Sequence, residues 1–137
     1  MSDVRFDVRF DADAYKEYMK LDKSVAEMVD RALGDLETRA DEVGKVLTNR
    51  HSTKLHGCRE IKLRDAGIRI VFRVTNETVD VLRIVYVLTI EKRADDVAFQ
   101  VADKRLRRFK VRSNLQTHLA QSRKWEQRRD RHPKDKG

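Results

Sequence analysis

The spacing of hydrophobic positions changes several times along the chain, and each change marks a new element. Val4, Phe6, Val8 and Phe10 alternate with Arg5, Asp7 and Arg9, a period of two that predicts a half-buried strand. From Asp11 the spacing becomes helical, with Ala14, Tyr15, Tyr18, Met19 and Leu21, then Val25, Met28, Val29, Ala32, Leu33 and Leu36. Two helices are expected, broken near Asp22. Asp22 or Ser24 is the candidate N-cap, and the second helix should run over about 23–40. Val43 to Leu47 adds a short turn. The polar stretch from Thr48 to Gly57 has no period and predicts an ordered basic loop.

The second half is written mostly in strands. Arg59, Ile61 and Leu63 alternate with Glu60, Lys62 and Arg64; Asp65-Ala66-Gly67 makes a turn; Ile68, Ile70, Phe72 and Val74 then alternate with Arg69, Val71 and Arg73. If Ile61, Leu63, Ile68, Ile70 and Phe72 face the helices, then Glu60, Lys62, Arg64, Arg69 and Arg73 share an open, basic face. Thr75 to Thr78 should turn into a third strand over about 79–90, nearly continuous in Val, Leu and Ile and therefore central. Asp95 or Asp96 opens a helix with Val97, Ala98, Val101, Ala102, Leu106 and Phe109 on one stripe, and a last helix over about 113–129 carries Leu115, Leu119 and Trp125. The class is α+β, with Phe6, Met28, Leu33, Ile61, Leu63, Ile70, Phe72, Ile84 and Val101 in one core. Residues 1–109 read as the folded domain and 110–137 as a basic helical extension ending in a frayed tail.

Charge sharpens this picture. The 137 residues carry a net +8, but unevenly. Residues 1–42 hold 7 Lys/Arg against 12 Asp/Glu, residues 43–100 hold 11 against 7, and residues 101–137 hold 13 against 4. An acidic helical layer followed by a basic sheet and a very basic end points to a polyanion, with nucleic acid first among partner classes. A solvated helix is the plain alternative for the tail. Clustered cations on one sheet face repel one another, so a phosphate backbone is their natural complement. Pairing of these arginines with Glu60, Asp65 and Asp80 at the surface is the competing reading.

Other chemistries find little support. The longest apolar stretch, Ile84 to Ile90, is too short to cross a bilayer, and the alternating start offers no secretory leader, so a soluble cytoplasmic protein is expected. The lone Cys58 suits a reducing compartment and has no base beside it in sequence. His51, His56, His118 and His132 lack metal-ligand spacing, and no phosphate-cradling Gly-rich loop or nucleophile elbow occurs. Neither metal nor cofactor is expected.

The run from Lys54 to Val74, KLHGCREIKLRDAGIRIVFRV, followed by NETVDVLRIVYVLTIEKR and the helix start ADDVAF, resembles the core of the RelE/ParE superfamily of toxin–antitoxin toxins, closest to its RelE branch. The resemblance spans residues 4–108. Its most specific piece is I-K-L-R-x-x-G-x-R-[IVL]-V-[FY]-x-V, matched from Ile61 to Val74, with a later Lys92-Arg93. It implies a strand, two helices and an antiparallel sheet, and a metal-independent ribonuclease acting on mRNA in the ribosome until an antitoxin neutralises it. Cleavage would run by attack of a ribose 2′-OH on the adjacent phosphate. By the same resemblance Lys62, Arg69 and Arg93 are the catalytic candidates, Arg69 and Arg93 as charge stabilisers. Lys54, Arg64, Arg73, Arg107 and Arg108 are candidates for RNA binding. A second family lysine is Glu60 here, and the family's helix tyrosine falls at Phe99. Glu60 is therefore a candidate base, with Tyr86 or His56 in place of the missing hydroxyl. A gyrase-directed ParE-like toxin, or a catalytically silent RNA binder, is the alternative.

Overall fold

The computed structural model describes residues 4–50, 53–110 and 122–125. Strand β1 (Phe6–Phe10) leads into helices α1 (Ala12–Met19) and α2 (Lys23–Arg39). A two-residue strand β2 (Lys45–Val46) precedes β3 (Cys58–Leu63), β4 (Ile68–Val79) and β5 (Leu82–Glu91); helix α3 (Asp95–Lys110) follows, and β6 (Arg123–Lys124) closes the order. The six strands form one sheet in the order β2-β3-β4-β5-β1-β6. β1 runs parallel to β5, while the other pairings are antiparallel. This is the α+β architecture that the periodicity predicts.

The start of α1 follows a local rule. Asp11 caps it, its carboxylate accepting the backbone N–H groups of Asp13 and Ala14 at 2.8 and 3.3 Å. Asp22 holds the N-cap position of α2, but its side chain makes no cap bond, so the expected capping interaction is not formed there.

Instead of one core there are two, one on each face of the sheet. Phe6, Val8 and Phe10 of β1, Ile68, Ile70 and Phe72 of β4 and Val85, Val87 and Ile90 of β5 pack against Ala14 and Tyr18 of α1 and Ala26, Val29, Leu33 and Leu36 of α2. On the opposite face Cys58, Val71, Tyr86 and Leu88 lie beneath Ala98, Phe99, Ala102, Leu106 and Phe109 of α3, with Leu47 and Leu55 beside them. The single core expected from the sequence is therefore split. Ile61 and Leu63 are only half-buried against the first cluster, and Val101 is half-buried outside both. The physical reason is the near-continuous apolar run of β5, which needs cover on both faces.

Three further expectations are corrected. The turn before β5 is not at Thr75–Thr78: β4 continues to Val79, because Thr75 Oγ1 donates to the Ile84 carbonyl at 2.8 Å and the ladder resumes at Thr78↔Arg83 after a register shift. The reversal falls at Asp80 and Val81, both with left-handed φ, of 50° and 64°. Lys45–Val46, expected as a turn, is an edge strand on β3. Most of the expected terminal helix over 113–129 lies outside the described residues, but its described part is not helical. Arg123 and Lys124 pair with Phe10 and Arg9 as β6, and Trp125 is a member of the first core. Its indole N–H donates to Asp30 Oδ1 at 3.1 Å, and its backbone N–H donates to the Val8 carbonyl at 2.8 Å. Among the described residues no helix is long and apolar enough to cross a membrane.

Candidate active site

Strand register decides which cations meet. In the β3–β4 ladder Lys62 stands directly opposite Arg69, and in the β4–β5 ladder Arg69 stands opposite Glu91. Residues paired in this way point to the same face, so Lys62, Arg69 and Glu91 form one row across three strands at spacings of about 4.8 Å. Like charges opposite each other are unfavourable in a sheet, and here the row ends on a carboxylate that offsets part of the repulsion. Arg69 Nη1 donates to the backbone carbonyl of Arg93, just past the end of β5. Arg93 in turn folds back on Glu91, with Nε to Oε2 at 2.6 Å and Nη2 to Oε1 at 3.0 Å. Lys62, Arg69 and Arg93 are thus brought to one end of the sheet.

The electrostatics of the pair follow from its geometry. Bonding to the Arg93 guanidinium holds the Glu91 carboxyl below its usual range despite its burial, and the same bond raises the pKa of Arg93. Glu91 is 6% exposed and Arg93 67%, so the carboxylate is an inner anchor and the guanidinium an outer, accessible charge.

The sequence suggests an open face around this row, and the structure corrects that: the face is partly covered. Helix α3 covers its middle, where Tyr86 stacks on Phe109 with ring centroids 4.3 Å apart. Tyr86 is 1% exposed, its hydroxyl lies 3.4 Å from Asp11 Oδ2, and burial, with Asp11 beside it, pushes its pKa up. It is withdrawn from the surface as a replacement acid. Glu60 shares the face with Lys62 but is 3% exposed, in register with Lys45 on one side and Val71 on the other. Phe99 is buried beneath the Arg50 guanidinium, 5.5 Å from its ring centroid.

The candidate RNA-binding residues separate into groups. Lys54 is exposed, and its backbone N–H donates to Asp103 Oδ1 at 2.8 Å. Arg107 pairs with the same carboxylate at 3.2 Å, so buried Asp103 ties the backbone at Lys54 to α3 and gathers the two cations. Arg73 Nη1 donates to the carbonyl of exposed His56 at 3.1 Å. Gly57 permits this: its φ is 95°, and a Cβ there would stand 2.6 Å from Arg73 Nη1. Arg64 is exposed on the turn after β3. Arg108 departs from the set, since it reaches Asp11 and Asp13 at 3.4 and 3.3 Å beside α1. His51 lies outside the described residues. Among those that are described, no group of three or more His, Cys, Asp or Glu is placed to hold a metal ion.

Three anchors escaped the sequence reading: Glu91, Asp103 and Glu17, the last held by Arg105 at 3.0 Å. Glu91 left a signal, an acid two residues before Arg93 at the end of a strand, and Asp103 left another, standing four residues before Arg107 on α3. The bonds of Asp103 to Lys54 and of Glu17 to Arg105 join residues far apart in the chain.

No protein-family model matches the chain. Curated relatives do. A RelE-like toxin protein of Escherichia coli is 33% identical over 109 residues, covering 76% of this chain and all of that protein. The mRNA interferase toxin RelE of E. coli K12 is 33% identical over 98 residues, 71% of this chain and 93% of that one. Among solved structures, a two-arginine mutant of E. coli toxin RelE in the free state superposes with a TM-score of 0.57 at 28% identity, over 76% of this chain and 99% of that one. The isolated E. coli RelE toxin gives 0.50 at 31% identity, over 74% and 98%. At this identity, with nearly the whole of each relative covered, the chain belongs to the RelE toxin family.

Proposed function

We propose that the protein is the toxin of a type II toxin–antitoxin system, a metal-independent endoribonuclease that cuts mRNA on the ribosome and is held in check by a cognate antitoxin. The observation that carries this reading is the convergence of Lys62, Arg69 and Arg93 on one exposed end of the sheet, each arginine fixed by a partner. In the reaction the ribose 2′-OH gives up its proton to water as its oxygen bonds to the adjacent phosphorus, and the bond from phosphorus to the 5′ oxygen breaks. Negative charge builds on the non-bridging oxygens. Fixed guanidinium donors lower the barrier because they need no reorganisation as that charge develops, an effect worth about 3–4 kcal/mol per donor in comparable sites. Lys62, exposed beside Arg69, is the acid of this reading and protonates the departing 5′ oxygen. Lys54 and Arg107, gathered by Asp103, and Arg73 extend the positive surface along the RNA.

A second reading, a silent RNA binder or a gyrase-directed toxin on the same fold, is favoured by buried Glu60 and by the absence of a hydroxyl at Phe99. One experiment separates them. Expression without the antitoxin should arrest growth and leave cut mRNA with a cyclic or 3′ phosphate and a 5′ hydroxyl, and EDTA should not inhibit cutting on purified ribosomes. Growth arrest with intact mRNA would transfer the assignment to the second reading.

A further inference from the structure

Beside the row of cations, with Glu91 and Arg93 on its wall, lies a cavity that extends past the groups used in the proposed chemistry. It measures about 350 Å³ and is lined by Glu17, Lys20, Leu21, Ile90, Glu91, Lys92 and Arg93. Its origin is topological. β1 ends at Phe10, in register with Val87, so the last residues of β5, paired with β4 on one side, have no strand on the other. The C-terminal part of α1 fills the gap: Glu17 Oε1 accepts the Ile90 N–H at 3.1 Å and the Thr89 hydroxyl at 2.9 Å. Between that helix end and the strand end a recess remains, with Leu21 and Ile90 as its apolar floor.

The charges around the recess do not balance. Both carboxylates are engaged, Glu17 by Arg105 and Glu91 by Arg93. Lys20 and Lys92 are exposed on its rim and pair with no described carboxylate. The cationic line Lys62–Arg69–Arg93 therefore continues onto Lys92 and Lys20, past an apolar floor. A polyanion that also carries flat apolar groups fits this pattern, and single-stranded RNA is such a molecule. The volume lies at the lower end of the range for small-ligand pockets, about 300–1,000 Å³.

We infer that this recess is a nucleotide subsite: it takes the nucleobase next to the scissile phosphate against Leu21 and Ile90, with the neighbouring phosphate on Lys20 and Lys92, and so sets the base preference of the cut. The base preference rests on the nuclease reading; the binding site does not. The test is a titration of the full chain with the four nucleoside 3′-monophosphates, with the matching nucleosides and inorganic phosphate as controls, followed by backbone NMR. Shifts should centre on Lys20, Leu21 and Ile90–Arg93, and the nucleotide should bind more tightly than either control. The double variant Lys20→Ala/Lys92→Ala should bind it about tenfold more weakly, as for two lost charge-assisted contacts. On ribosomes the same variant should redistribute the cut sites by the base beside the cut. Shifts confined to Lys62 and Arg69, phosphate binding as tightly as the nucleotide, or a variant with unchanged affinity would each overturn the subsite. If the chain cuts no RNA yet nucleotides still shift the recess, the nuclease reading fails and the binding site stands.

Discussion

Arg93 closes on Glu91 with both its side chain and its backbone: Glu91 Oε2 lies 2.6 Å from Nε and 3.1 Å from the Arg93 backbone nitrogen, while Oε1 takes Nη2 at 3.0 Å. The strand end is thereby locked around one carboxylate. Because Arg69 donates to the Arg93 carbonyl, both candidate charge stabilisers depend on this turn. A guanidinium held in place before RNA arrives loses less entropy on binding.

Glu91→Gln should therefore lower cleavage about tenfold through misplacement of Arg93, with less effect on RNA affinity, since Gln keeps the shape but weakens the anchor. A depressed carboxylate stabilises the fold above its unfolded pKa and loses that contribution as pH falls through the lower folded value. The stability difference between wild type and Glu91→Gln should close on acidification below about pH 4, read by denaturant titration at several pH values. A difference independent of pH would show that the charge of Glu91 is not what holds the turn.

Arg69→Ala should lower the cleavage rate by roughly 10²- to 10³-fold, as expected for the loss of one preorganised donor, with little loss of stability. Single-turnover kinetics on ribosomes beside thermal unfolding would check both halves. Equal losses of rate and of folded protein would make Arg69 a structural residue.

Trp125→Ala should destabilise the domain by about 3–5 kcal/mol, the usual cost of emptying a core aromatic site. The side chain fills space beside Gly34, 3.8 Å from a Cβ built there, and shares Asp30 Oδ1 with the Tyr18 hydroxyl, which donates at 2.5 Å. Removal of residues 122–137 should cost at least as much, because β1 also loses its β6 partner. Melting curves of the two variants would decide it. Unchanged stability would assign the tail to surface contacts alone.

Val81→Gly should stabilise the protein by about 0.5–1 kcal/mol. Val81 is 93% exposed, so nothing is lost in packing, and its φ of 64° is a conformation that a β-branched residue enters at a cost. Asp-Gly is a favoured pair for such a hairpin. A small rise in Tm would confirm the strain; a fall would place a packing role on the valine.

Much of the fold was legible because period and local chemistry are short-range properties. The alternation at Phe6–Phe10, the helical spacing through Leu36, the Asp65–Gly67 turn and the α3 stripe all appear where their spacing put them. The signature from Ile61 to Val74 with Lys92-Arg93 identified the family, since it preserves both strand period and cation placement. What the chain alone left open depended on pairs distant in sequence. The near-continuous apolar run of β5 calls for cover on both faces, but which element supplies the second cover is set by where α3 docks, and nothing within β5 encodes that. The turn at Asp80–Val81 stayed hidden because Thr75–Thr78 has turn composition, yet Thr75 bonds across to Ile84 and carries the ladder onward. Trp125 sits in a stretch of helical composition, but its indole N–H needs a buried acceptor, and Asp30 offers one 95 residues away. The same holds for the site. The family resemblance named Lys62, Arg69 and Arg93 as candidates, but only the strand register could set Lys62 opposite Arg69 and bring Glu91 in to anchor Arg93, because hydrogen-bonded pairing between strands is a tertiary choice that single-strand alternation does not encode.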